Sequence, residues 1–222
     1  MLKPRHTDDS IVEVGIDEAG RGCLWGPLVA AAVIWPDESS WSDPIRVISA
    51  QIKDSKTITA KNRCSIEQRI KEYAIEWSVG IVTAAEIDTI GMTRANRLAF
   101  ERALNGLSHP VGRILIDGTI GISPRAGIEQ IVEPRGDGTY ISIAAASIIA
   151  KEARDTIVKD LCRDEPILQE HYSILNSKGY GTAKHREGIK NHGMHILHRK
   201  LFLRKLLGLD HVVSEEYSFI DD

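Results

Sequence analysis

Cysteine is scarce in this chain of 222 residues. Its three cysteines, Cys23, Cys64 and Cys162, are odd in number and far apart, which excludes a disulfide framework and gives no zinc-ligand spacing. They read as small reduced hydrophobes. No apolar run reaches the length of about 18 residues that a membrane helix needs. The start, MLKPRHTDDS, is too polar for a signal peptide, so a soluble cytoplasmic protein with no membrane partner is expected. The eight histidines form neither an HExxH pattern nor a Ser/Asp partnership, so histidine-based hydrolysis has no support. Internal repeats and low-complexity linkers are also missing. With 42% apolar residues the chain can bury a proper core, as one domain or one domain with a helical appendage.

A positive net charge is absent too: 28 Lys and Arg against 31 Asp and Glu give −3. The distribution is uneven. Between Asn176 and Lys205 there are eight Lys or Arg, one acid (Glu187) and four histidines. A local basic face of this kind suits phosphate neutralisation, and a merely solvated helix pair would look the same.

What is present is a focal stretch from Gly15 to Gly26, GIDEAGRGCLWG. Asp17 and Glu18 follow an apolar run (Ile11, Val12, Val14, Ile16) and precede a small-residue turn, Ala19-Gly20-Arg21-Gly22. A carboxylate at the end of a hydrophobic strand is costly to bury alone, and a hard divalent cation is the partner that oxygen ligands satisfy. Glycines at 20 and 22 let a ligand approach the main chain closely. The string IDEAGRG followed by GPLVAAAV resembles the opening signature of the type 2 ribonucleases H (ribonuclease HII). Those enzymes cut the RNA strand of RNA–DNA hybrids. The resemblance runs from about Val12 to Phe202, with further motifs in family order.

Periodicity places the elements. Ile11 to Asp17 reads as a strand with Val12, Val14 and Ile16 on one face, so Asp17 and Glu18 share a site only if the strand ends or bulges there. Leu28 to Trp35 is a buried strand ended by Pro36, and Pro36 to Pro44 a polar loop. Thr59 is expected to cap a helix, Glu76 to Thr83 to form a strand, and Thr83-Ala84-Ala85-Glu86 to open a helix running to about Leu104. Strands follow over Val111 to Gly118 and Ile128 to Glu133. Ile143, Ala146, Ala150, Ala153, Ile157 and Leu161 mark an amphipathic helix from Ser142 to Cys162. The remainder reads as helical, near Lys184 to Asn191 and again from His198 to Leu207, with a break at Gly193. Strands first and helices later favour an α/β mixed sheet covered by helices. The resemblance implies the ribonuclease H-like fold: a mixed sheet flanked by helices, with a C-terminal helical extension. It divides the chain into a catalytic domain over 10–163 and a basic substrate-binding extension over 164–222, both in one compact unit.

Phosphodiester hydrolysis needs an activated water, in-line geometry and charge neutralisation, which two divalent cations roughly 4 Å apart can supply. Carboxylates must then converge from separate segments: Asp17 and Glu18 at one strand end, Asp117 at a second, and Asp137 in a glycine-flanked loop. Asp117 resembles the aspartate of the family's strand-end DG motif. Asp137 resembles its KGD aspartate, with Arg135 standing where lysine is usual. Asp155, in AKEARD, is the rival for the fourth place, and an exposed pair with Lys151 or Lys159 is its ordinary explanation. Asp155, Lys151 and Arg135 are therefore expected to stand behind the ligands. Mg²⁺ or Mn²⁺ is the implied cofactor, in a two-ion site with substrate.

Recognition of RNA means reading a 2′-OH, which both donates and accepts hydrogen bonds. The family's GRG motif implies that role for the backbone of Gly20, Arg21 and Gly22. Ser177-Lys178-Gly179-Tyr180 resembles its HKGY motif with serine for histidine, and implies that Tyr180 stacks on a sugar at the RNA–DNA junction. Asp54-Ser55-Lys56 resembles its DSK motif and makes Lys56 a phosphate-contact candidate. His198-Arg199-Lys200-Leu201-Phe202 resembles its HRxSF segment and is assigned packing and backbone contact. The expected partners are RNA–DNA hybrid and duplex DNA with embedded ribonucleotides, cut to 5′-phosphate and 3′-OH ends, by a monomer serving DNA replication and repair. Two other readings compete: a resolvase- or integrase-type nuclease of the same fold, which lacks the GRG turn, and a non-catalytic hybrid-binding module. Mutually repelling acids in a phosphate-facing pocket argue against the second.

Overall fold

The structure is a computed structural model that describes residues 2–53 and 58–207. The Lys56 candidate lies outside the described residues. Five strands form one mixed sheet in the order β3-β2-β1-β4-β5. β1 (Glu13–Ala19), β2 (Leu28–Ile34) and β3 (Glu76–Val82) make an antiparallel meander, while β4 (Arg113–Asp117) and β5 (Glu129–Glu133) run parallel to β1 on its other side. β2, LVAAAVI, has no polar residue and is buried at every position, because helices cover both faces of the sheet. This is the expected α/β class.

One face carries α1 (Asp43–Gln51), α2 (Ala60–Tyr73) and the long α5 (Ile141–Asp164), packed on Ala19, Ala31 and Val33. The other face carries α3 (Ala84–Ile90) and α4 (Met92–Asn105), packed on Val14, Ile16, Ala30 and Ile116. Val14 and Ile16 thus point one way, and Ala19 the other. Thr59 caps α2 by accepting from Asn62 N–H, and Thr83 with Glu86 forms both bonds of a capping box. The helix expected from Thr83 to Leu104 is two helices. Gly91, at φ +77°, turns the chain out of helical geometry between them.

Two further expectations need correction. The polar loop after Pro36 gives way at Asp43 to α1, and Trp41 within it is buried, its indole N–H donating to the Pro36 carbonyl at 2.9 Å. The amphipathic stripe assigned to α5 fails in both halves. Ile141 to Ala150 is buried all round, since this stretch lies between the sheet and the outer helices. Further on, the buried positions are Glu152, Arg154, Asp155, Val158 and Cys162, whereas Ala153, Ile157 and Leu161 are half-buried. Charged side chains occupy that face because each finds partners there, described below.

Beyond α5 come α6 (Ile167–Tyr172), α7 (Ile174–Ser177), α8 (Ala183–His192) and α9 (Lys200–Leu207). Leu168, Tyr172, Ile174, Ile189 and Leu203 form a core of their own against Val158 and Cys162 of α5 and against Trp25, from the turn that follows β1.

Candidate active site

The parallel register pairs Ile16 with Ile116, so the next residues, Asp17 and Asp117, lie side by side, Asp117 as the last residue of β4 and Asp17 near the end of β1. Asp17 is 6% exposed and receives a hydrogen bond from Ser147 of α5 as well as the Glu18 N–H at 2.6 Å. Burial pushes its carboxyl well above the usual carboxylate range, and the neighbouring charges of Glu18 and Asp117 push it further; Ser147 and the Glu18 N–H act in the opposite sense. Asp137 is buried in the single turn Gly136–Gly138, and its N–H lies 3.4 Å from Asp117 Oδ1. β1 does not bulge. It pairs regularly with β2 through Ala19, so Asp17 and Glu18 leave on opposite faces, and Glu18 meets Arg21 at 3.8 Å.

Asp17, Asp117 and Asp137 are thus drawn to one end of the sheet, and Glu18 leaves β1 on the opposite face yet still acts on Asp17. The Asp17 carboxyl is raised by burial first and by these neighbours second. Oxygen-only donors with an uncompensated buried charge fit a hard divalent cation. Among the described residues, no three His, Cys, Asp or Glu side chains already stand as a closed ligand set. The fit rests on donor chemistry and on the charge of Asp17.

Beside the carboxylates, two turns are laced together. The Gly20 carbonyl accepts from Cys23 N–H at 3.2 Å, closing the first turn, and Leu24 N–H donates to the Gly179 carbonyl at 2.9 Å, joining it to the second. Arg154, 1% exposed, threads between them. Its guanidinium donates to the carbonyls of Pro27 (3.0 Å), Trp25 (3.1 Å) and Lys178 (2.8 Å). Gly20 sits at φ +91°, and a Cβ there would lie 2.0 Å from Arg154 Nε; a Cβ on Gly22 would meet nothing within 4 Å. Tyr180, on the second turn, is 45% exposed as a residue, while burial, with Cys23 alongside, raises its hydroxyl's pKa.

Asp155 stands elsewhere. It is buried, as no exposed helix pair would be, between Lys151 (2.5 Å) and Arg63 (3.2 Å), and Arg63 also grips Glu152 at 2.5 Å. That network ties α2 to α5. Arg135 is exposed at φ +62° just before Asp137. The basic segment is less of a face than its charge count implies. Arg199 is fully buried, donating to the carbonyls of Gly26 (2.9 Å) and Arg21 (3.0 Å), and burial lowers its pKa to about 10. Lys184, Arg186, Lys190 and Lys200 remain exposed. Sequence reasoning missed Ser147 and Arg154, whereas Arg199 fills the packing and backbone-contact role expected of its segment. The signals were there: a serine inside an alanine run, and an arginine next to Asp155 in the quoted motif.

A mixed five-stranded sheet with carboxylates at the ends of two adjacent parallel strands, and a long helix behind them, defines a nuclease of the ribonuclease H-like fold. The family model described as Ribonuclease HII matches residues 14–205. The chain belongs to the ribonuclease HII family, and is therefore a metal-dependent endoribonuclease, a hydrolase acting on RNA–DNA hybrids. It is 41% identical over 202 residues to Ribonuclease HII of Parabacteroides distasonis, covering 91% of this chain and 94% of that protein. Among solved structures it is similar to the ribonuclease H2 from Pyrococcus horikoshii OT3, with a TM-score of 0.70 and 28% identity over 89% of this chain and 97% of that one. Bst-RNase HIII in complex with Mn²⁺ shares the fold at a TM-score of 0.69 and 22% identity, over 93% of this chain and 72% of that one. The family match sets aside the resolvase, integrase and binding-module readings.

Proposed function

We propose that this chain cuts both RNA–DNA hybrids and duplex DNA at embedded ribonucleotides, leaving 5′-phosphate and 3′-OH ends, with Asp17, Glu18, Asp117 and Asp137 holding Mg²⁺ or Mn²⁺ in a two-ion site. Such cations, when bound, supply an activated water and stabilise the leaving oxygen. The observation that carries the reading is Asp17: a carboxyl raised by burial and then by two neighbouring acids, at the meeting point of two strands, has no structural use without a counter-charge. Ser147 orients Asp17, and Asp137 completes the ligand set from its turn. The backbone of Gly20, Arg21 and Gly22 reads the 2′-OH, and the exposed ring of Tyr180 stacks on the neighbouring sugar. Lys56 and the exposed lysines and arginine of 184–200 contact phosphates. Asp155, Lys151 and Arg135 serve from behind, Asp155 by holding Arg63 of α2 against α5 with Lys151 paired to it. The catalytic part is 10–163 and the substrate-binding extension 164–222; the protein works as a cytoplasmic monomer in DNA replication and repair.

The test is cleavage of three duplexes in Mg²⁺ and in Mn²⁺: an RNA–DNA hybrid, a DNA duplex with one ribonucleotide, and an all-DNA control. Cuts in the first two alone, with ends that a DNA polymerase extends without prior treatment, are expected. An intact single-ribonucleotide duplex would restrict the activity to hybrids, and ends that cannot be extended would remove the proposed chemistry.

A further inference from the structure

The interior of the C-terminal helices holds two histidines that the cleavage chemistry does not use. His185 of α8 and His198, just before α9, are 0% and 2% exposed. Their Nε2 atoms lie 2.9 Å apart. His198 Nδ1 accepts from the backbone N–H of His195 at 2.8 Å, and His185 Nδ1 lies 2.9 Å from the carbonyl oxygen of Tyr180. The two outer partners have fixed polarity, since an amide N–H only donates and a carbonyl only accepts. His198 Nδ1 is therefore bare, and the proton of that ring sits on Nε2. His185 must carry its proton on Nδ1 to meet the Tyr180 carbonyl, which leaves its Nε2 bare to accept from His198. A single assignment satisfies all three contacts, with both rings neutral. A further proton on either ring would set two N–H groups face to face. The other titratable groups about the pair are Tyr172 of α6, 4.9 Å from the His198 ring between centroids, and His195, itself 3.0 Å from Glu165.

We infer that His185 and His198 are positioning residues for substrate recognition, forming a one-way chain of three hydrogen bonds that fixes the Tyr180 peptide and so the stance of its ring. The inference rests on the reading of Tyr180 as a substrate contact. The Tyr180 carbonyl also accepts from Thr182 N–H at 2.8 Å, and its own N–H donates to the Ser177 carbonyl at 3.0 Å, so the peptide is held on both sides. The far end of the chain is anchored to the first turn, where Gly26 N–H donates to the Leu197 carbonyl and Arg199 N–H to the Leu24 carbonyl. An exposed aromatic ring thus rises from a peptide that cannot rotate. The backbone that carries the ring is then already ordered before a sugar stacks on it.

Nitrogen NMR of the full-length protein, which distinguishes the two ring tautomers, is the first test. His185 protonated on Nδ1 and His198 on Nε2 is the expected result; a His185 proton on Nε2 overturns the inference whatever the variants do. Kinetics on a duplex with one ribonucleotide is the second. His185→Leu strands the Tyr180 carbonyl and the His198 donor, and KM should rise about tenfold with kcat within about twofold of wild type. His185→Asn keeps a donor at the Nδ1 position, and KM should stay within about threefold. An Asn variant as damaged as the Leu variant overturns the positioning role. So does an unchanged KM for folded His185→Leu while Tyr180→Ala, measured beside it, is impaired. An unimpaired Tyr180→Ala removes the substrate contact itself, and the recognition role falls with it even if both tautomers are as assigned.

Discussion

The two glycines of the first turn should respond oppositely to alanine, and the reason lies in Arg154. At Gly20 the backbone is at φ +91°, which costs an alanine roughly 1–2 kcal/mol. The new Cβ would also lie 2.0 Å from Arg154 Nε and 2.5 Å from its Cδ. A guanidinium bonded to three carbonyls has no slack to yield, so its buried hydrogen bonds break. Stripping a buried charge of its partners costs about 3–5 kcal/mol. Together Gly20→Ala should lose about 4–7 kcal/mol, much of the 5–15 kcal/mol typical of a folded domain. At Gly22 the added Cβ meets nothing within 4 Å and the backbone is not left-handed, so stability should stay within about 0.5 kcal/mol. Gly22→Ala should instead lower kcat/KM on ribonucleotide-containing duplexes, because the methyl group covers the backbone proposed to read the 2′-OH. Urea unfolding followed by circular dichroism measures the stabilities, and an Arg154→Ala background isolates the clash. In that background only the backbone part, roughly 1–2 kcal/mol, should remain for Gly20→Ala. A Gly20→Ala loss below about 1 kcal/mol, or one that adds in full to Arg154→Ala, would refute the argument.

Asp17→Asn should abolish cleavage while hybrid binding survives; metal-free, it should also melt at a higher temperature than wild type. The folded protein raises the Asp17 pKa, so its ionised form opposes folding once pH exceeds the ordinary carboxylate value. A lower melting temperature would count against that repulsion. Asp137→Asn should cost several orders of magnitude in kcat and Asp155→Asn much less, the latter losing stability as Arg63 and Lys151 lose their partner; equal activity losses in folded variants would mean that Asp155 is the ligand. Burial, with His185 and His195 alongside, lowers His198 to about 3 from an ordinary 6.5. Its contribution is present above pH 6.5 and is lost as pH falls toward 3, so the drop in urea midpoint between pH 7 and pH 5 should shrink in His198→Gln. An unchanged drop would assign the acid sensitivity to other groups.

The strands were legible because their hydrophobic runs have the right lengths and endings, as with Leu28 to Ile34 before Pro36. Thr59 and the Thr83–Glu86 box announced their helices through local hydrogen bonds that need no tertiary partner. Gly91 inside an otherwise helical pattern was visible, but its break depends on a positive φ that composition does not specify. The carboxylates could be named from strand ends and motifs. Which of them meet could not, because the register of Ile16 with Ile116 is a property of the sheet. Asp155 illustrates the limit. Its spacing to Lys151 suggested an exposed pair, whereas Arg63, 92 positions away in sequence, turns the same residue inward. Arg154 escaped notice for the same reason, since its acceptors are carbonyl oxygens, and a sequence does not record where those point.

The parallel pairing of β1 with β4 also bears on biosynthesis. Asp17 emerges early from a ribosome, but its neighbour Asp117 follows only after the meander, α3 and α4, and Ser147 later still. The ties of the first turn to the C-terminal helices come last, from Arg154 to the Lys178 carbonyl and from Arg199 to the Gly26 and Arg21 carbonyls. Contacts this distant in sequence form slowly and late. A nascent chain with its first two acids exposed therefore holds only part of the proposed ligand set. The proposed metal site is thus complete only after the sheet has closed.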